Sequence, residues 1–204
     1  MPRIRSATLE DVPAIRRIAS ESWHAVYDDI LGLETVDALT NKWYAVEGLE
    51  ESLERVAKRD AGAFLVATRE STDEGKPANA TGATFAATPS SRERSGSVVG
   101  FVQGTPGERA ETARRVAVLN RIYVDPDSWG DGVGSALLTA LEQAFDDSFE
   151  TLRLRVLADN HVGISFYEST GFERVETQHS DLEAEIDETE VDGELEEHVY
   201  EKPL

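Results

Sequence analysis

The chain has 204 residues, no cysteine, and 40 acids against 20 bases, a formal net charge of −20. That length suits one domain with a sizeable core, and the missing cysteine excludes disulfides, thiolate metal sites and a cysteine nucleophile. With no basic stripe to meet phosphates a nucleic-acid partner is excluded, and with no apolar run able to span a bilayer and no signal core at the N-terminus a membrane protein is excluded, so a soluble cytoplasmic protein is expected.

In chain order, residues 3–8 read as a short opening strand. Thr8 then stands as a helix cap with Asp11 three residues later, a capping-box spacing. Val12, Ile15, Ile18 and Ala19 fall on one helical face. Helical character resumes over 21–27 and again over 46–60, and 61–70 is a strand with an apolar centre. Residues 71–97 are rich in Ser, Thr, Gly, Ala and Pro, and read as a polar insertion between two strands. Strands follow at 97–104 and 115–124.

Next comes SWGDGVGSALLTALEQAF (128–145), in which Gly130, Gly132 and Gly134 precede a helix carrying Ala136, Leu137, Ala140, Leu141 and Ala144 on one face. Residues 151–157 alternate Leu152, Leu154 and Val156 with Arg153 and Arg155, a strand. Residues 158–172 fit a short helix capped by Asp159 or Asn160 and stopped at Gly171. Two more strands close the chain. Between them, 181–197 holds ten acids and no base. This segment could face a cationic acceptor, but a solvated face is the plainer account. Acids are spread over the whole chain, which fits a surface kept soluble in molar salt, where the Debye length is about 3 Å, and so a halophilic source. The element order is that of one mixed α/β domain.

A glycine loop that opens a helix offers free N–H groups and the positive end of the helix dipole to an anion. The P-loop pattern fails here for want of a lysine, and the Rossmann pattern fails on spacing, with no third glycine and five residues between strand and loop. The segment LNRIYVDPDSWGDGVGSALLTALEQAF instead resembles the coenzyme-binding motif of the GNAT superfamily of acyl-coenzyme A-dependent N-acetyltransferases, with Trp129, Gly132 and Gly134 at the matching positions. LRLRVLADNHVGISFYESTGFERV resembles that family's next motif through Asn160, Phe166, Tyr167, Gly171 and Phe172. The N-terminal RIRSATLEDVPAIRRIASESWHAVY is similar to its opening strand and helix. Two motifs in the right order on the right elements make the match specific, although Trp129 replaces a Gln or Arg and Asp131 stands where a basic residue is common.

The resemblance implies a single GNAT-like domain over 1–204, with a central, mostly antiparallel sheet flanked by helices. It implies acetyl-CoA as co-substrate, with its pyrophosphate on the backbone amides of Gly130, Asp131, Gly132, Val133, Gly134 and Ser135. Asp131 is then expected to point to solvent. It places an oxyanion donor and the pantetheine contacts at the backbone of Tyr123 or Val124, a cofactor contact at Asn160, and the proton donor to the departing thiolate at Tyr167. Asn160 is equally suited to capping its helix. Trp23, His24 and Tyr27 fall where the family's first helices line the acceptor cleft, although packing alone explains Trp23. The general base is left open between water chains, His24 and an acid from the substrate side, since the glutamate some relatives carry is Val118 here. The four histidines show no metal-ligand spacing, so no metal is expected. The implied activity is acetyl transfer to a primary amine, either a small molecule or a protein N-terminus, by direct attack. A coenzyme A-binding module without catalysis is the alternative, and a homodimer would be in keeping with similar proteins.

Overall fold

A computed structural model of the chain describes residues 1–58, 62–69, 96–107, 115–145, 148–182 and 195–204. Most of the polar stretch at 71–97 and of the acidic segment at 181–197 lies outside the described residues. The elements are β1 (Arg3–Ser6), α1 (Val12–Leu31), α2 (Leu33–Trp43), α3 (Val46–Lys58), β2 (Ala63–Arg69), β3 (Ser97–Pro106), β4 (Val116–Val124), α4 (Val133–Phe145), β5 (Thr151–Leu157), α5 (His161–Ser169), β6 (Glu173–His179) and β7 (Glu196–Pro203).

The strands form one seven-stranded sheet in the order β1-β2-β3-β4-β5-β7-β6. Every pairing is antiparallel except β4 with β5. This is the mixed α/β, mostly antiparallel sheet that the sequence led us to expect. Its two faces carry two cores. One face packs Phe64, Val66 and Phe101 against α1, α2 and α3 through Ile15, Ile18, Trp23, Val36 and Leu49. The other packs Ala67, Val102, Leu152 and Leu154 against α4. Leu137, Leu138, Leu141 and Phe145 of α4 are almost fully buried, each contributing about 1.5–3 kcal/mol by leaving water. Among the described residues no helix is long and apolar enough to cross a membrane.

Two helical stretches differ from the sequence reading. The helix from Val12 does not pause: α1 runs unbroken to Leu31, its buried face continuing through Trp23 and Tyr27. Helix α2 was not anticipated, because its buried face is half threonine (Thr35, Val36, Leu39, Thr40). The Thr40 hydroxyl donates to the Val36 carbonyl at 2.8 Å, so a polar residue is buried at no cost in unmade hydrogen bonds.

The Thr8–Asp11 spacing does form a cap. The Thr8 N–H donates to Asp11 Oδ2 at 2.9 Å, over a 3-10 turn (Leu9–Asp11) that leads into α1. The same carboxylate takes a two-pronged guanidinium from Arg5, both bonds 2.7 Å. Asp11 thus ties the first strand to the first helix. Burial pushes its carboxyl up, but the bonds from Arg5 and Thr8 outweigh burial and hold it below the usual range. A lowered carboxyl stabilises the fold above its unfolded pKa of about 3.9, and that stability is lost as pH falls through the lower folded value. Asp11→Ala is expected to cost about 2 kcal/mol, or roughly 4–8 °C in Tm for a chain of this size. Denaturation at pH 7 and at pH 3 measures it: the gap between wild type and variant should shrink at the acid end, and a constant gap would contradict the assignment.

Candidate active site

Strands β4 and β5 pair in parallel over only three positions, Val116–Thr151, Ala117–Leu152 and Val118–Arg153. Pairing then stops, and a cavity of about 410 Å³ opens between the strands, walled by β4, the glycine loop, β5, α5 and part of α1. The Asp125 N–H donates to the Val99 carbonyl at 2.9 Å, which fixes the phase of bonding along β4. By the alternation of antiparallel ladders, Tyr123 exchanges its bonds with Phe101 on β3, whereas Ile122 and Val124 turn their amides to the open side. Of the two backbone donors expected from sequence, the Val124 amide faces the cavity and the Tyr123 amide does not. The Val124 carbonyl is taken within the protein, by the Ser22 hydroxyl at 2.9 Å and the Trp129 indole N–H at 2.8 Å.

A bulge shapes the same strand. Gly104 opposes Leu119 and Gln103 opposes Arg121, leaving Asn120 as the extra residue. Asn120 accepts from the Thr105 hydroxyl at 2.9 Å. The extra residue reverses the alternation: Ala117 and Leu119 face α4 before it, Ile122 and Val124 after it. Tyr123 and Arg121 are thereby turned to the α1–α3 side, against Phe101 and Tyr44.

In the loop, Gly130 (φ 81°) and Gly132 (φ 78°) occupy the left-handed region that side chains disfavour. Gly134 serves differently: an added Cβ would sit 3.2 Å from the Phe166 ring of α5. The first bond of α4 runs from the Ala136 N–H to the Gly132 carbonyl at 3.0 Å. The amides of Gly132, Val133, Gly134 and Ser135 therefore have no carbonyl within the helix, and Gly132–Ser135 line the cavity. Asp131 points to solvent as expected, about half of its side chain exposed. There it accepts from Arg69 at 2.9 Å, which offsets its charge beside the loop, and it lies off the cavity wall.

Helix α5 buries none of its residues fully and is held at its ends. Asn160 Oδ1 accepts from the Gly163 N–H at 2.7 Å, and its Nδ2 donates to the Tyr27 hydroxyl at 2.6 Å. Both ends of the amide are thus used within the protein, capping α5 and tying it to α1. At the other end the Phe172 N–H bonds the Tyr167 carbonyl and the Gly171 N–H bonds that of Glu168, both at 3.1 Å, with Gly171 at φ 92°. Tyr167 packs edge-on against Phe166 and Phe172, and among the described residues its hydroxyl has no hydrogen-bond partner. Burial, then the nearby Tyr123, raises its pKa well above the ordinary phenol value. Tyr27 is raised by burial and by Tyr123 and Tyr167, against a smaller lowering by Asn160.

The cavity thus gathers Tyr27, Tyr123, Val124, Gly130, Gly132–Ser135, Asn160 and Tyr167. Trp23 and His24 are not on its wall. The Trp23 indole is buried and donates to the Tyr123 hydroxyl at 2.9 Å. His24 has Nδ1 2.8 Å from Asp28 and Nε2 3.3 Å from Asp37, so neither nitrogen is free to take a substrate proton. Sequence reasoning missed Arg121, Ile122 and Phe166 on the wall. For Arg121 and Ile122 the signal is the bulge, which no spacing in LNRIYV announces, and for Phe166 it is Gly134, against which its ring packs. Despite the 40 acids of the chain, among the described residues the wall carries no carboxylate and no histidine, only Arg121 and Arg155 as charged groups. Among the described residues no cluster of His, Asp and Glu is placed to hold a metal ion.

Asn160→Ala removes the cap, worth about 1 kcal/mol, and the bond to Tyr27, worth about another. Tyr27→Phe removes only the second. Denaturant titration should show Asn160→Ala losing about twice as much as Tyr27→Phe; equal losses would mean that the cap contributes nothing.

Known proteins share this arrangement. The acetyltransferase (GNAT) family matches residues 33–172. The chain is 25% identical over 180 residues to the spermidine N(1)-acetyltransferase of Thermoplasma acidophilum, covering 88% of this chain and 92% of that one. Its structure aligns with that of the PaiA N-acetyltransferase of Thermoplasma acidophilum, crystallised in complex with coenzyme A, at a TM-score of 0.71 and 22% identity over 100% and 99% of the two chains. The ribosomal-protein-alanine N-acetyltransferase of Brucella melitensis aligns at 0.65 with 25% identity over 99% of each. With its family match spanning both walls of the cleft, the chain belongs to the acetyltransferase (GNAT) family and is an acyltransferase enzyme.

Proposed function

We propose that the protein moves an acetyl group from acetyl-CoA to a primary amine by direct attack, in the cytoplasm of a salt-adapted cell. The observation that carries the reading is the parting of β4 from β5, which leaves inward-facing strand amides at Ile122 and Val124 in line with the unbonded helix amides of Gly132–Ser135. The residues fit acetyl-CoA. Four amides at a helix N-terminus suit a pyrophosphate, and open strand amides suit the amides of a pantetheine arm. The coenzyme A complex of the PaiA N-acetyltransferase is in keeping with this. When bound, acetyl-CoA supplies an activated thioester carbonyl.

This chain's residues supply the rest. The Val124 amide is placed to stabilise negative charge on a carbonyl oxygen in the gap. Tyr167 keeps its proton at any working pH, because burial disfavours the phenolate, and donates it to the departing sulfur. No enzyme-bound intermediate is invoked, since the chain has no cysteine and no histidine lines the cleft to activate a serine. With no carboxylate among the described residues of the wall, the amine gives up its proton to water. The same bare wall favours a second reading, a coenzyme A-binding module without catalysis.

Calorimetry with acetyl-CoA, followed by thiol release in the presence of amines, separates the two. Binding and release are expected, and binding without release for any amine would establish the module. Tyr167→Phe should lower kcat by about 10²-fold or more while coenzyme affinity stays within about twofold. Because the phenol is raised, kcat should not fall through its ionisation between pH 7 and about 10; a loss that vanishes in Tyr167→Phe would refute this. Gly134→Val forces α5 away from the loop at Phe166 and should weaken acetyl-CoA by about tenfold or more. An unchanged Kd would remove that contact from the coenzyme site.

A further inference from the structure

Arg121 has no place in the chemistry above, yet it stands on the cleft wall. Its Nη1 is sealed from solvent without a hydrogen-bond partner, and among the described residues no carboxylate meets its guanidinium. Seven other described arginines, Arg5, Arg17, Arg55, Arg69, Arg115, Arg153 and Arg155, reach an acid, in a chain where acids outnumber bases two to one, and Arg16 and Arg174 meet Asn41 and His198 at the surface. Arg121 is instead laid over the Tyr44 ring, 5.1 Å from its centroid, and Tyr44 is itself buried. A cation–π contact recovers only part of what a desolvated guanidinium loses.

Its position fixes what it can serve. The bulge at Asn120 turns Arg121 to the α1–α3 side of the sheet, across from α4 and the glycine loop. The phosphates proposed for that loop are on the other side. Arg121 also lines the cavity, with its Nη1 buried and unpaired. Among the described residues the wall around it offers no acid.

We propose that Arg121 selects the acceptor: the amine acetylated here carries its own anionic group, a carboxylate or a phosphate, which pairs with the Arg121 guanidinium, and polycationic amines are disfavoured. This rests on the acetyltransferase reading and names its substrate class. The anion supplies the counter-charge that the protein withholds. A charge-assisted bond to a fork of donors is the strong kind, whereas a second cation brought against an unpaired one is repelled in a low-dielectric cleft.

The test uses matched acceptors with the full chain: free α-amino acids against their α-carboxamides, phosphoethanolamine against ethanolamine, and spermidine. Thiol release from acetyl-CoA gives kcat/KM for each, and calorimetry with acetyl-CoA alone reports the coenzyme half separately. The anionic member of at least one pair should be favoured by about 10- to 100-fold, and which pair responds tells carboxylate from phosphate. Arg121→Gln should collapse that ratio to within about threefold while acetyl-CoA affinity holds, and Arg121→Lys should restore part of it. Preference for spermidine or for the neutral members, or turnover of no anionic acceptor, overturns the inference and leaves the acetyltransferase reading standing. An equal loss on all amines in Arg121→Gln also overturns it, by assigning the arginine to the shared acetyl group. Failure to bind acetyl-CoA at all would instead strike the underlying reading.

Discussion

A strand that leaves its parallel neighbour after three residue pairs carries open backbone groups into the gap it creates. On β4 those groups are the amides of Ile122 and Val124. Left dry and unpaired, each would cost more than an ordinary hydrogen bond contributes, so the gap must be filled by water or by a ligand with acceptors at strand spacing. The Val124 carbonyl shows how the protein manages the groups it does not offer. Ser22 reaches it from α1 and Trp129 from the glycine loop. What is left open is therefore the Ile122 backbone, donor and acceptor alike, and the Val124 donor, whereas the Val124 acceptor is closed off.

The far wall of the gap is a nine-residue helix with little burial of its own. Helices that short are marginal without tertiary support, and here the support is at the ends. Asn160 spends its whole amide on fixing where α5 starts and on linking it to α1, and Gly171 fixes where it stops. Gly134 lets Phe166 close on the loop. The result sets Tyr167 across the gap from β4, on a helix whose register is fixed by capping rather than by a core stripe.

Much of this was legible in the chain. The alternation in TLRLRVL marks β5 with its boundaries as found, and the glycines at 130 and 132 have the positive φ that their spacing suggests. The Thr8–Asp11 spacing forms its cap. Local chemistry decides such features, and local chemistry can be read in order. What stayed hidden depends on partners distant in sequence. Nothing in ETVDALTNKW announces a buried face that is half threonine. Nothing in VDPDSWGDG says that Asp131 meets Arg69, or in SWHAVYDD that His24 is claimed on both nitrogens once α2 brings Asp37 against it. The bulge is the sharpest instance. A strict period of two puts Leu119, Arg121 and Tyr123 on one face, whereas one extra residue puts Leu119 on the opposite face from the other two.

The distribution of charge follows the same division between local and distant effects. Acids cover the chain, and at a net charge of −20 their repulsion opposes the compact state unless salt screens it. The described ion pairs join exposed or half-buried partners except those of Arg5 with Asp11 and of Arg155 with Glu197, where the carboxylate is buried. Screening acts on exposed pairs and hardly reaches a desolvated group. The glycine loop follows this rule: Asp131 and its partner Arg69 both lie in solvent, where salt mutes them, so an acid beside an anion-binding loop costs little. The cleft wall is governed differently. Partly buried groups in a cleft with low-dielectric walls are screened less, and among its described residues there is no acid and Arg121 keeps an unpaired nitrogen. Exposed acids that salt mutes and a less screened cleft can carry opposite charge without conflict.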